Sequence, residues 1–209
     1  MKTRLLTILT IFITITYSFG QSRKDSLFVF VGEIIEVKDY PYEKEDPKDS
    51  IITIHMDSRY LAKYKVLKSV YGTFTEDTIE FIVYDHYGKP AFSKFKTVLL
   101  FVSNYKGQLY HEKYQYFDVY ITKDNRWASP GDPYKFDDYH RKDLKPQKIE
   151  FKEKVSYDIG QLDKDRIKKS FPKEYFNIVR KKAYPLMGTY IEDLFTVKKE
   201  GVLKARGIF

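Results

Sequence analysis

The stretch Ser26 to Val37, SLFVFVGEIIEV, is a nearly continuous apolar run with one glycine, Gly32, in its middle. Its β-branched and aromatic content reads as a long strand. A glycine in a strand interior forfeits side-chain packing and backbone entropy, and its usual justification is a bulge or a sharp bend. The first strand of a small Greek-key barrel must bend in this way to pair with neighbours on both sides. Gly32 therefore predicts a barrel rather than a flat sheet.

The sequence downstream supplies the partners. Arg59 to Lys68, RYLAKYKVLK, places Ala62, Tyr64 and Val66 on one face and Lys63 and Lys65 on the other, the two-residue period of a half-buried strand. It ends at Gly72, which permits a turn. TIEFIVYDH repeats the pattern with Ile79, Phe81 and Val83. Thr97 to Ser103, TVLLFVS, is apolar throughout and predicts a central strand covered on both sides. Asn104 to Gly107 reads as a turn, and QLYHEKYQYFDVYIT has the length for the returning strand of a hairpin. Between the first two strands, Lys38 to Ser50 is dense in Pro, Asp and Lys and reads as an exposed loop.

Past Ala128 to Tyr134, ASPGDPY, the strand period fades. Phe176, Val179 and Ala183 recur at helical spacing after Pro172 and before Pro185, which predicts one helix. A second is predicted from about Thr189 to Lys199, with Tyr190, Leu194 and Val197 on its apolar face and Gly201 ending it. The expected fold is mainly β with C-terminal helices (α+β): a five-stranded OB-like Greek-key barrel over residues 21–140, followed by a basic, partly helical extension over residues 141–209.

At the N-terminus, Lys2 and Arg4 precede the uncharged run Leu5 to Thr16, and Ser18 and Gly20 close it. This is the order of a signal peptide, residues 1–20, with cleavage expected between Gly20 and Gln21. The run is too short and too rich in threonine for a comfortable bilayer span. The chain has no cysteine, which excludes disulfides, thiolate metal sites, a cysteine nucleophile and lipoprotein anchoring at the cleavage site. An exported chain without disulfides fits a periplasmic or secreted protein held together by its apolar core.

The net charge is +8, unevenly spread. Residues 21–140 carry 17 basic and 19 acidic side chains, whereas residues 141–209 carry 18 and 10. The basic third could attract anionic lipid or glycan, or form a solvated lysine-rich face. The slightly acidic barrel half disfavours nucleic acid as a partner.

FVFVGEIIEV, followed by YKVLKSVYG, IEFIVY and VLLFV, resembles the N-terminal barrel of the tissue-inhibitor-of-metalloproteinases and netrin-like family, over roughly Leu27 to Trp127. The resemblance implies an OB-fold and a lean toward binding another macromolecule. That family's animal inhibitors act through an amino-terminal cysteine on the protease's zinc. Here Gln21 stands at that end, so the inhibitory mechanism does not carry over.

No sequence motif for catalysis or a cofactor stands out. His111 opens HEKYQ, which has Gln115 where a zinc-protease motif needs its second histidine. His55 and Asp57 could share a strand face as metal ligands or form an ordinary surface pair. Asp163 and Asp165 begin like a calcium loop that Ile167 breaks. Asp137 to His140 gathers carboxylates and a histidine.

The least random feature is aromatic: NYKGQLYHEKYQYFDVY interleaves Tyr105, Tyr110, Tyr114, Tyr116 and Tyr120 with Lys106 and Lys113. Tyr110, Tyr114, Tyr116 and Lys113 are the candidate binding residues, set against the alternative that tyrosine merely suits strands. The expected function is an exported, non-enzymatic binding module for a protein or glycan of the cell envelope. The alternatives are an exported enzyme using carboxylate and histidine chemistry around His111 or His140, or an envelope-associated structural protein.

Overall fold

The computed structural model describes residues 27–42, 55–135 and 144–209. The expected signal peptide, most of the Lys38 to Ser50 loop and the Asp137 to His140 group lie outside the described residues.

Strand β1 (Leu27–Asp39) pairs antiparallel with both β2 (Ser58–Tyr71) and β4 (Thr97–Tyr105). β2 pairs with β3 (Thr78–Asp85), β4 with β5 (Gln108–Asp118), and a parallel contact at Ile82 and Tyr110 joins β3 to β5. The order β1–β2–β3–β5–β4 closes into a barrel, the OB-like Greek-key arrangement that the sequence predicts.

Gly32 faces Val66 of β2 and Val98 of β4 at once, beside a register irregularity on the β2 side. A Cβ at this position would lie 2.9 Å from the Phe30 ring and 3.0 Å from the Tyr64 ring. The glycine thus permits the bend and also leaves room inside the barrel for two aromatic rings. At Gly72, which ends the β1–β2 pairing, φ is +74° and a Cβ would meet the Leu27 carbonyl oxygen at 2.4 Å.

The barrel wall separates two apolar cores. Inside are Phe30, Ala62, Tyr64, Ile79, Phe81, Val83, Phe92, Val98, Leu100 and Val102. The alternation read from β2 and β3 holds: Ala62, Tyr64, Ile79, Phe81 and Val83 all point inward. Outside the wall, Leu27, Val29, Val31, Leu99, Phe101, Phe117 and Val119 pack under the C-terminal Ile191, Leu194, Val202 and Leu203. β4 is buried on both faces for this reason.

The C-terminal part holds more strand than the sequence pattern indicates. A four-stranded sheet, β6 (Tyr120–Ile121), β7 (Trp127–Pro130), β12 (Met187–Tyr190) and β8 (Gln147–Lys148), draws on residues from either side of position 140. A second small sheet contains β9 (Tyr157–Asp158), β10 (Phe176–Val179) and β11 (Lys182–Pro185). The helix expected around Phe176 to Ala183 is therefore a β10–β11 hairpin, turned at Arg180 with φ +56°. Phe176 and Ala183 are buried in a satellite cluster with Ile159, and their spacing serves two strands instead of one helix.

Helix α1 (Lys164–Ser170) is an addition to the two helices the sequence predicts; Asp163, the apparent start of a calcium loop, is its N-cap and accepts from the Arg166 amide at 2.8 Å. Helix α2 (Ile191–Lys198) matches the second expected helix, burying Leu194 and Val197, with Tyr190 at its N-cap. Gly201 kinks the chain (φ −95°, ψ −112°) within the helical segment that follows, without ending it. Among the described residues no helix is long and apolar enough to cross a membrane.

Candidate functional site

The five tyrosines of the interleaved stretch go to five different environments, and a bulge in β5 sorts them. In the β4–β5 register Leu100 faces Tyr116 and Val102 faces His111, so the four residues Glu112 to Gln115 stand opposite Phe101 alone. Tyr114 adopts φ +66° at this bulge. A tyrosine in the left-handed region carries a steric cost, so the surrounding contacts must hold it there. The Gln115 carbonyl bonds the His111 ring Nε2 at 2.8 Å. On the outside, the Arg206 guanidinium donates to Glu112 at 2.8 Å and to the Lys113 carbonyl at 2.9 Å.

The bulge pushes Lys113 and Tyr114 outward and sends Tyr116 inward. The Tyr116 ring packs on Phe92 and Phe95, and burial pushes its hydroxyl pKa up to about 12. Tyr116 belongs to the barrel core and does not share a surface with Tyr110 and Tyr114. Strict alternation from Tyr114 to Tyr116 places them on one face, and the irregular backbone removes that relation. Tyr105 sits on the β4–β5 turn, and Tyr120 lies half-buried beside Asp118.

Lys113 and Tyr114 join residues that the sequence separates widely. The Lys113 ammonium bonds Asp57 at 2.6 Å, which raises the Lys113 pKa. His86 lies 3.6 Å from the other Asp57 oxygen, and its Nδ1 is 2.9 Å from the Met56 carbonyl. The Tyr114 hydroxyl accepts from the His86 amide at 3.4 Å, and the Tyr87 ring stands 6.0 Å from that of Tyr114. Around this small ionic centre, Tyr87 is 86% exposed, Met56 76% and Tyr114 40%.

A row of rings continues across the outer barrel wall. Tyr110 of β5 stacks on Tyr84 of β3 at 6.2 Å, Tyr84 on Tyr42 at 6.4 Å, and Tyr42 on His55 at 3.5 Å. Arg59 of β2, directly opposite Tyr84, places its guanidinium carbon 4.1 Å from the Tyr40 ring centre and 5.8 Å from that of Tyr42. Burial raises the Tyr84 pKa, partly opposed by the Arg59 charge. Sequence reasoning found Tyr110, Tyr114 and Lys113 but missed Tyr42, Tyr84, Tyr87, Met56 and Arg59, which only the closed barrel brings alongside.

The histidine and carboxylate candidates read differently. His111 is buried against Phe81 and Phe92, and desolvation lowers its pKa to about 4. Its position inside the barrel wall gives no approach for a substrate. His55 stacks on Tyr42, while Asp57 pairs with Lys113. Among the described residues no three His, Asp or Glu side chains gather as a metal site.

A further polar cluster lies at the end of β5. Asp118 is only 2% exposed and receives the Lys135 ammonium at 3.1 Å and the Tyr157 hydroxyl. Lys135 also donates to the Ser129 hydroxyl at 3.0 Å and the Pro130 carbonyl at 3.1 Å. A serine beside a lysine can signal an activated nucleophile, but only if the amine is free to take a proton. Here the ammonium is committed to Asp118 and two further acceptors, so the cluster fastens the end of β5 to the C-terminal sheets. Burial, with Asp118 adding to it, raises the pKa of Tyr157.

No family model, no curated protein and no solved structure matches the chain.

Proposed function

We propose that the protein is an exported, non-enzymatic interaction module of the periplasm or extracellular space, and that the aromatic and ionic face of β2, β3 and β5 is its binding surface. The observation that carries this reading is the uncovered set Met56, Tyr87 and Tyr114 around the Asp57–Lys113 pair, continued by the Tyr110–Tyr84–Tyr42 row. Tyrosine, methionine and arginine are the side chains enriched in protein interfaces. A rigid barrel presenting them needs little ordering on association. The sequence pattern at residues 1–20 supports export, and the tissue-inhibitor-like strand pattern supports a binding role.

The test is affinity capture from envelope and secreted fractions of the source organism, using the chain from Gln21 and a variant with Tyr87, Tyr110 and Tyr114 changed to Ser. A partner that saturates on the parent chain and is lost from the variant supports the proposal. Capture that is indifferent to all three tyrosines overturns it.

A further inference from the structure

On the aromatic face Asp57 pairs with Lys113 and Glu112 with Arg206. Among the described residues Arg59 and its neighbour Asp39 form no ion pair, and the Arg59 Nε is shielded from water without a hydrogen-bond acceptor. Its guanidinium instead rests on the Tyr40 and Tyr42 rings. A donor shielded in this way is not reached by a ligand, so an incoming anion would meet the terminal nitrogens of the fork. A guanidinium stacked on aromatic rings also loses little further freedom when its planar fork meets an oxyanion.

Arg59 borders an open surface depression of about 380 Å³, lined also by Tyr42, His55, Ser58, Asp39 and Asp57. Asp57 is paired with Lys113, so it is the unpaired Asp39 that bears on which anion fits. Asp39 repels a phosphate dianion more than a single negative charge, whereas a carboxylate matches the guanidinium fork with one charge. The surrounding tyrosines and the exposed methionine favour a polypeptide as its carrier.

We infer that Arg59 is an anchor for a carboxylate, and that the partner of this face presents an aspartate, a glutamate or a chain terminus there. This rests on the proposed binding role, since it names the group that the same face would recognise.

The test is an NMR titration of the ¹⁵N-labelled chain from Gln21 at constant ionic strength. The probes are N-acetylglutamate amide, glucuronate and inorganic phosphate; the variants are Arg59→Gln and Arg59→Lys. The expected result is saturable movement of the Arg59 Nε–H and the Tyr40 and Tyr42 ring signals with N-acetylglutamate amide. Binding should be about tenfold weaker in Arg59→Lys, which keeps the charge and loses the fork, and absent in Arg59→Gln.

Equal response to phosphate, response unchanged in Arg59→Gln, or no response to any probe overturns the inference. Tighter binding of glucuronate overturns the polypeptide assignment in favour of an acidic glycan. The outcome is separable from the capture experiment: a partner lost with the tyrosines, alongside a titration indifferent to Arg59, leaves the module and removes the anchor. A saturable, Arg59-dependent titration with no captured partner does the reverse.

Discussion

The outer wall of the barrel has two sides with opposite chemistry. Where β1, β4 and the end of β5 face outward, the residues are Leu27, Val29, Val31, Leu99, Phe101, Phe117 and Val119, and the C-terminal segment covers them. Where β2, β3 and the bulge of β5 face outward, they include Arg59, Tyr84, Tyr110, Lys113 and Tyr114, held by stacking and ion pairs. The first side is closed by its own chain and contributes to stability. The second leaves rings such as Tyr87 open, and the proposed function assigns it to a partner.

Substitutions should separate the two sides by size of effect. The largest loss is expected at the fastening cluster: Lys135→Met strands Asp118 without its cation, which should cost about 3–5 kcal/mol in urea unfolding. A loss below about 1 kcal/mol, as at an exposed pair, would remove that cluster from the account.

On the covered side, Leu194→Ala removes a fully buried side chain and should cost about 2–5 kcal/mol by the same measurement. A cost near zero would mean that the C-terminal segment only loosely covers the barrel.

Between the two sides lies His111. Its imidazole gains a proton near 6.5 when unfolded but only near 4 when folded, so the unfolded chain binds more protons in that interval. This part of the stability is full above about pH 6.5 and is lost progressively down to about pH 4, by on the order of 3 kcal/mol at most. His111→Gln should flatten that segment of the stability profile, and an unchanged slope would mean that other groups produce it.

Arg206→Ala should release the bulge at a cost of about 1 kcal/mol, seen as faster amide exchange at Gln115 and Tyr116. Unchanged exchange would show that the internal His111–Gln115 bond suffices. Smallest of all, Tyr87→Ser should alter stability by less than about 0.5 kcal/mol, because the ring is almost wholly exposed.

How much of this was legible in the sequence follows from how local each signal is. Gly32 and the alternation of Ala62, Tyr64, Ile79 and Phe81 are short-range patterns, and they led to a closed five-stranded barrel. Phe176 and Ala183 misled because a helical stripe and two paired strands can share one apolar spacing over so short a run. At the site, Tyr110, Tyr114 and Lys113 were visible as an aromatic run. The same run includes Tyr116, and the four-residue bulge that sends it inward has no composition signature: it contains neither glycine nor proline. Arg59 lies 55 positions before Tyr114, and only strand pairing brings its stacked guanidinium to the same wall.

The most direct test of the two-sided account is oxidative footprinting of the chain from Gln21, alone and mixed with the envelope fraction that supplies a partner. The account predicts protection at Tyr87, Tyr114 and Met56, with no change at exposed residues away from that face such as Leu186. Protection concentrated at Leu186 and Val179, with Tyr87 and Met56 as reactive as in the free chain, would contradict it.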